Sequence, residues 1–179
     1  MNFSIQETLS NENIILRPLQ DNDLEALFLQ AKIKEIWSQH PNKNRYKREV
    51  FENFFLGAIE SEGAFVIIDK PTDQIIGSTR FYDHNEKESS IYIGYTFYGK
   101  DFWGKNYNSQ VKEMMLNYIF EFVEIVNFHV GSENLRSKKA MEKLGAENLG
   151  EMMVAYFGEE SKRNILYQIS KTRWEQPKN

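Results

Sequence analysis

Apolar positions along this chain change their period between residues 91 and 122, where a strand pattern gives way to a helical one. Residues 91–97 (IYIGYTF) are β-branched and aromatic, as a strand requires. After a polar turn, Val111, Met114, Met115, Tyr118 and Phe122 fall on one helical face. Upstream, residues 14–16 form a short apolar run stopped by Arg17-Pro18, which suits an edge strand. Asp21 offers an N-cap for a helix whose stripe is Leu24, Leu27, Phe28 and Ala31, extending towards Trp37 until His40-Pro41-Asn42 breaks it. A second helix starts near Arg48, turns Val50, Phe51, Phe54, Phe55, Ala58 and Ile59 inward, and ends before Gly63.

Residues 64–69 and 75–82 read as strands separated by Lys70-Pro71-Thr72-Asp73, and the polar stretch 83–88 leads into the strand at 91–97. Connections this short favour an antiparallel meander. The helix over 108–122 is long enough to cross over to a strand at 125–130, so that pairing can be parallel. Asn134 caps a helix through Leu135, Ala140, Met141 and Leu144, which Gly145 ends, and residues 151–157 and 164–170 make a final hairpin. The pattern predicts one α+β domain over residues 1–179, with about seven strands and four helices around a mixed, mostly antiparallel sheet.

Composition narrows the chemistry. The chain is 41% hydrophobic and 14% aromatic, which supports a folded core, and it has no cysteine, so disulfides, thiolate metal sites and cysteine nucleophiles are excluded. A net charge of -4 disfavours nucleic-acid binding. No run approaches the ~20 apolar residues of a membrane helix. The N-terminal stretch lacks a basic start followed by an apolar core, so a cytoplasmic protein is expected. Lys43, Arg45, Lys47 and Arg48 form a basic segment that is either a solvated loop or a loop gating substrate entry. His40, His84 and His129 are scattered and support no metal site, with His129 reading as a half-buried strand residue.

The turn Trp103-Gly104-Lys105-Asn106-Tyr107-Asn108 is open to two readings. It is an ordinary strand-to-helix corner capped by Asn106 or Asn108, or it aims free backbone N–H groups at an anion such as a phosphate. Together with the later run Asn134-Leu135-Arg136-Ser137-Lys138-Lys139-Ala140-Met141-Glu142-Lys143-Leu144-Gly145-Ala146, it resembles the GNAT superfamily of acyl-CoA-dependent N-acetyltransferases. Within that superfamily the chain looks most like the Rim-type branch that acetylates N-termini of ribosomal proteins.

The resemblance implies a GNAT fold in which the strands at 91–97 and 125–130 splay apart and acetyl-CoA, with no metal, enters the gap. Tyr95, Thr96 and Phe97 would pair with pantetheine, and Trp103, Gly104, Lys105, Asn106, Tyr107, Asn108 and Ser109 would surround the pyrophosphate. Asn134 and Ser137 would contact the coenzyme from the other side, with Lys138 and Lys143 as partners for its outer phosphate. Glycine is usual where this chain has Asn106, and asparagine tolerates the left-handed conformation such a turn needs.

The usual tyrosine acid is replaced by Met141 and the usual strand carboxylate by Tyr92. His84, Asp83 and Tyr92 are therefore the candidate bases for removing a proton from an amine acceptor, which is a small molecule or a protein N-terminus. Among proteins that look like this one, homodimers are common. Non-catalytic acyl-CoA binding, or protein interaction on the same fold, is the alternative reading.

Overall fold

The computed structural model describes residues 4–176. A two-residue strand, β1 (Leu9–Ser10), lies outside β2 (Ile14–Pro18), so the run ending at Arg17-Pro18 is one strand in from the edge. In place of a single first helix there are a 3-10 turn (Asp21–Asp23), α1 (Leu24–Ala31) and α2 (Lys34–Trp37). The break has a visible cause. The indole N–H of Trp37 donates to the Ala31 carbonyl at 2.7 Å, which a continuous helix would have used internally, and Ile33 turns extended between the two pieces. Next comes α3 (Arg48–Glu60), which buries Phe51, Phe54, Phe55 and Ala58.

The strands β3 (Ala64–Asp69), β4 (Gln74–Asn85) and β5 (Ser90–Tyr98) run antiparallel, as their short connections require. After β5, α4 (Tyr107–Ile119) crosses over to β6 (Ile125–Gly131), which lies parallel to β5. The rest of the described chain comprises α5 (Leu135–Leu144), the hairpin β7 (Glu147–Val154) and β8 (Lys162–Ser170), and a terminal turn α6 (Lys171–Trp174). Strand β7 begins before residue 151 because a bulge beside Gly150, at φ 106, carries the pairing past the glycine. The sheet order is β1-β2-β3-β4-β5-β6-β8-β7. Among the described residues, eight strands and six helices exceed the expected numbers through β1, the split first helix and α6, while the α+β architecture is the one the periodicity implies.

Helices cover both faces of the sheet. Trp37, Phe51, Phe54, Val66 and Phe97 pack together on the side of α1 and α3, while Phe81, Ile91, Ile93, Met115 and Phe128 belong to the cluster beneath α4 and α5. Ile91 and Ile93 thus face one cluster and Phe97 the other, although all three are odd-numbered residues of one strand. A single extra residue in β5 swaps the faces, since side chains alternate with a period of two.

Strands β4 and β5 approach closely at Gly77, where an added Cβ would stand 2.1 Å from the Phe97 carbonyl oxygen. The neighbour is backbone and cannot swing away. Replacing Gly77 with alanine is expected to cost about 1–3 kcal/mol in urea unfolding, and an unchanged midpoint would show that this approach is looser than described.

Candidate active site

Strands β5 and β6 pair at Ser90 with Ile125, Ile91 with Val126 and Tyr92 with Asn127, and then part. The cause lies in β5. Ser78 faces Phe97 and Arg80 faces Gly94, so Tyr95 and Thr96 share the space opposite Thr79, and Tyr95 is left-handed at φ 53. A tyrosine holds that conformation only when its surroundings fix it. The Arg80 guanidinium stacks 3.9 Å from the centroid of its ring, and Tyr82 and Tyr156 meet it edge-on at 5.0 and 5.4 Å. Arg80 is itself anchored, donating through Nη1 to the Gly57 carbonyl at 2.8 Å. The splay leaves a cavity of about 320 Å³, with Thr96, Phe97 and Tyr98 along one side and Phe128, Val130 and Gly131 along the other.

At the cavity mouth, α4 begins on a left-handed residue, Asn106 at φ 63, whose side chain makes no capping hydrogen bond. The ordinary capped corner is therefore not what forms. Gln110 N–H returns to the Asn106 carbonyl at 3.3 Å, and the N–H groups before it have no helical carbonyl to meet. Gly104, at φ 75, leaves open space where a side chain would stand. Two aromatic residues pin the turn. Trp103 Nε1 donates to the Tyr98 carbonyl at 3.2 Å, and the Tyr107 hydroxyl donates to the buried Asp69 carboxylate, which raises the tyrosine pKa to about 12. The result is an exposed row of donors at the positive end of a helix dipole, a setting suited to a pyrophosphate.

Across the gap, Asn134 Oδ1 caps α5 by accepting from Ser137 N–H at 3.1 Å, and both residues line the cavity. Lys138 is half-buried and Lys143 exposed, and neither lines it. Arg136, which the pattern did not single out, stacks 4.2 Å over Trp103 and donates to the Ile36 carbonyl at 3.0 Å, so it ties α5 to the turn before α4 and to α2. Arg45 also lines the cavity rather than lying in a solvated loop. It is buried, paired with Glu159 at 2.7 Å and stacked on Phe54 at 4.7 Å. Arg45, Lys112 and Arg136 line the cavity while no aspartate or glutamate does, although the chain carries a net charge of -4. A slot with that balance favours an anionic guest.

On the opposite face of the sheet, Tyr82, Tyr92 and His129 come together. Tyr92 lies 4.5 Å from the His129 ring, and Tyr82 Oη is 3.2 Å from His129 Nδ1. His129 lines the cavity, and its Nε2 is buried without a hydrogen-bond partner. Burial pulls its pKa below 6.5, a trend opposed by the charge of Asp83. Asp83, left-handed at φ 50, and His84 occupy a second irregularity in β4, between the pairs Tyr82 with Tyr92 and Asn85 with Ser90. Asp83 is exposed, and neither residue lines the cavity. His40 does line it, held neutral by burial beside Arg45 and Arg136, with its pKa drawn down to about 3. Among the described residues no group of three histidines or carboxylates could hold a metal ion, and no helix is long and apolar enough to cross a membrane.

Comparison with known proteins agrees with this geometry. Residues 13–147 match the family described as the acetyltransferase (GNAT) domain. The chain is 25% identical over 158 residues to an uncharacterized N-acetyltransferase p20 from Bacillus licheniformis, an alignment covering 80% of this chain and 84% of that protein. Its fold is shared with a GCN5-related N-acetyltransferase from Brucella melitensis (TM-score 0.81, 16% identity, 94% of this chain and 80% of the other). It is shared as well with a spermidine N-acetyltransferase from Vibrio cholerae solved with CoA and spermine (TM-score 0.70, 19% identity, 93% and 100%).

The left-handed start of α4 makes a test. Asn106→Gly is expected to match or exceed the wild-type stability and Asn106→Ala to lose about 1 kcal/mol in chemical denaturation, because alanine pays the left-handed penalty in full. Equal stability of the two variants would contradict the conformation described.

Proposed function

This chain belongs to the GNAT family and is an acetyl-CoA-dependent N-acetyltransferase, and from that premise we propose that a primary amine attacks the thioester directly while both substrates are bound. The parting of β5 and β6 beyond Tyr92 and Asn127 carries the reading, because it frees backbone groups for the pantetheine arm. The pyrophosphate takes the N–H groups of residues 104–109, and Asn134 and Ser137 close the slot from α5. Lys138 and Lys143 stand outside the cavity, where an outer phosphate emerges.

His129 is the base in this reading. With Nδ1–H donating to the Tyr82 oxygen, Nε2 keeps its lone pair and takes the proton of the acceptor's ammonium group. Tyr92 orients the imidazole by stacking, and Asp83 adds a negative charge that favours the imidazolium once formed. His84 and Asp83 serve the reaction through this cluster or not at all, since neither lines the cavity. Backbone N–H groups at the bulge receive the oxyanion, held in place before the reaction begins.

The acceptor site is rich in tyrosine and free of carboxylates. Tyr82, Tyr95 and Tyr156 line it with Arg45, so a polycation such as a polyamine finds no carboxylate on its wall. A protein N-terminus or a small monoamine fits better, in keeping with the Rim-type order of motifs. A cytoplasmic location goes with this reading.

Two measurements test it. Acetyl-CoA at ~100 times its dissociation constant stabilises a true binder by about 3 kcal/mol, read as a thermal shift, and thiol release with a panel of amines then separates an enzyme from a binding module. His129→Gln is expected to lower kcat by about 10²–10⁴-fold. In the wild type the acidic limb of the rate profile falls below pH 6.5, where Nε2 becomes protonated, and the variant lacks that limb. An unchanged rate and profile would remove His129 from the mechanism.

A further inference from the structure

Lys112 stands one turn along α4 from Asn108, on the wall of the same slot, with its side chain buried. Its Nζ donates to Thr96 Oγ1 at 2.7 Å and Thr79 Oγ1 at 3.3 Å, and no carboxylate among the described residues pairs with it. The two hydroxyls also bond each other at 2.8 Å, and Thr96 donates onward to the Gly94 carbonyl at 3.3 Å. An ammonium group has three N–H bonds, so the threonines leave one for whatever enters the slot.

Burying an unpaired ammonium is costly, and folding does not require it here. Val111, Met115 and Leu116 fill neighbouring positions with apolar side chains, so a methionine at 112 would pack without that cost. Lys112 reaches β5 at Thr96, four residues beyond the last β5–β6 pair at Tyr92. Met141, which also lines the slot, has no proton to give.

Besides the transient oxyanion, acetyl transfer releases an anion inside the slot, the thiolate of CoA. We propose that Lys112 is the catalytic acid that receives this leaving thiolate. As the tetrahedral intermediate collapses, the C–S bonding pair moves to sulfur and an N–H of Lys112 supplies the proton, giving amide, free thiol and a neutral lysine amine. The amine recovers a proton through water, equal to the one the acceptor nitrogen has shed, so the books balance without a further reactant. The assignment rests on the acetyl-CoA reading of the slot.

Other titratable groups around the cavity are less suited. Tyr82, Tyr95 and Tyr98 are neutral and made weaker acids by burial, as is Tyr156 beyond the bulge. Arg45 and Arg136 do not release protons, while His129 and His40 are shifted towards their neutral forms. Burial alone draws Lys112 down to about 7, where it gives and regains a proton readily.

Titrating the thiol of CoA in its binary complex, by thiolate absorbance, tests the proposal without any acceptor. In the wild type the bound thiol is expected to ionise about one to three pH units below free CoA, as beside any close positive charge. Lys112→Met should abolish that shift, Tyr98→Phe should retain it, and Lys112→Arg should keep the shift through its charge yet lose turnover with an amine, because arginine has no proton to release. Lys112→Met should also melt at or above the wild-type temperature, which shows that it folds. A bound thiol that titrates alike in Lys112→Met and wild type would overturn the assignment, even though CoA binds. Failure of CoA to bind the wild type at all would instead bring down the coenzyme reading and this proposal with it.

Discussion

A tyrosine held in the left-handed region lies at the root of this architecture. Tyr95 adds a residue to β5 without a matching one in β4, and from that point the side chains of β5 change faces. Thr96 turns to Lys112 under the sheet and Phe97 to the cluster around Trp37. The conformation is unfavourable for any residue with a Cβ, and the stack of Arg80, Tyr82 and Tyr156 around the ring supplies the compensation. Strand β5 can then diverge from β6, and both the slot and the free backbone around it follow from that divergence.

Charge reinforces the shape. An acidic chain has kept carboxylates out of the slot wall and set two arginines, a lysine and the start of a helix there. In the binding mode proposed here, the anionic coenzyme and the anion its reaction releases meet this same field. Beside the cavity, the half-buried Glu159 is paired with Arg45, which also stacks on Trp37, Phe54 and Tyr156. That pair joins the loop before α3 to the loop between β7 and β8, next to the acceptor site proposed above.

Much of this was legible in the sequence because local periodicity decides it. Strand β3 occupies residues 64–69 as the apolar run predicts, α3 starts at Arg48, and α5 runs from its Asn134 cap to a left-handed Gly145. The turn at 103–108 and the run from Asn134 to Ala146 stand out as motifs, and residues of both line the cavity. What escaped depends on tertiary pairing. Nothing in IYIGYTF marks Tyr95 as the bulge, since the adjacent Gly94 is the residue that would adopt a positive φ most cheaply. His129 looks like any alternating strand residue until the register of β5 and β6 sets Tyr92 against it. Arg45 was hidden in a charge run whose other members do face water. Lys112 left a readable trace, because Leu116 and Ile119 follow it at helical spacing and place it in a buried stripe.

The central claim is that β5 leaves β6 after Tyr92 and that the groups so released, with those of the turn at 104–109, await a coenzyme. Backbone amide hydrogen exchange, followed residue by residue with and without CoA, measures this most directly. The account predicts that amides of β5 facing the gap and of residues 104–109 exchange quickly in the free protein and become protected when CoA is added. Slow exchange at these amides in the free protein, or no change on adding CoA, would contradict it.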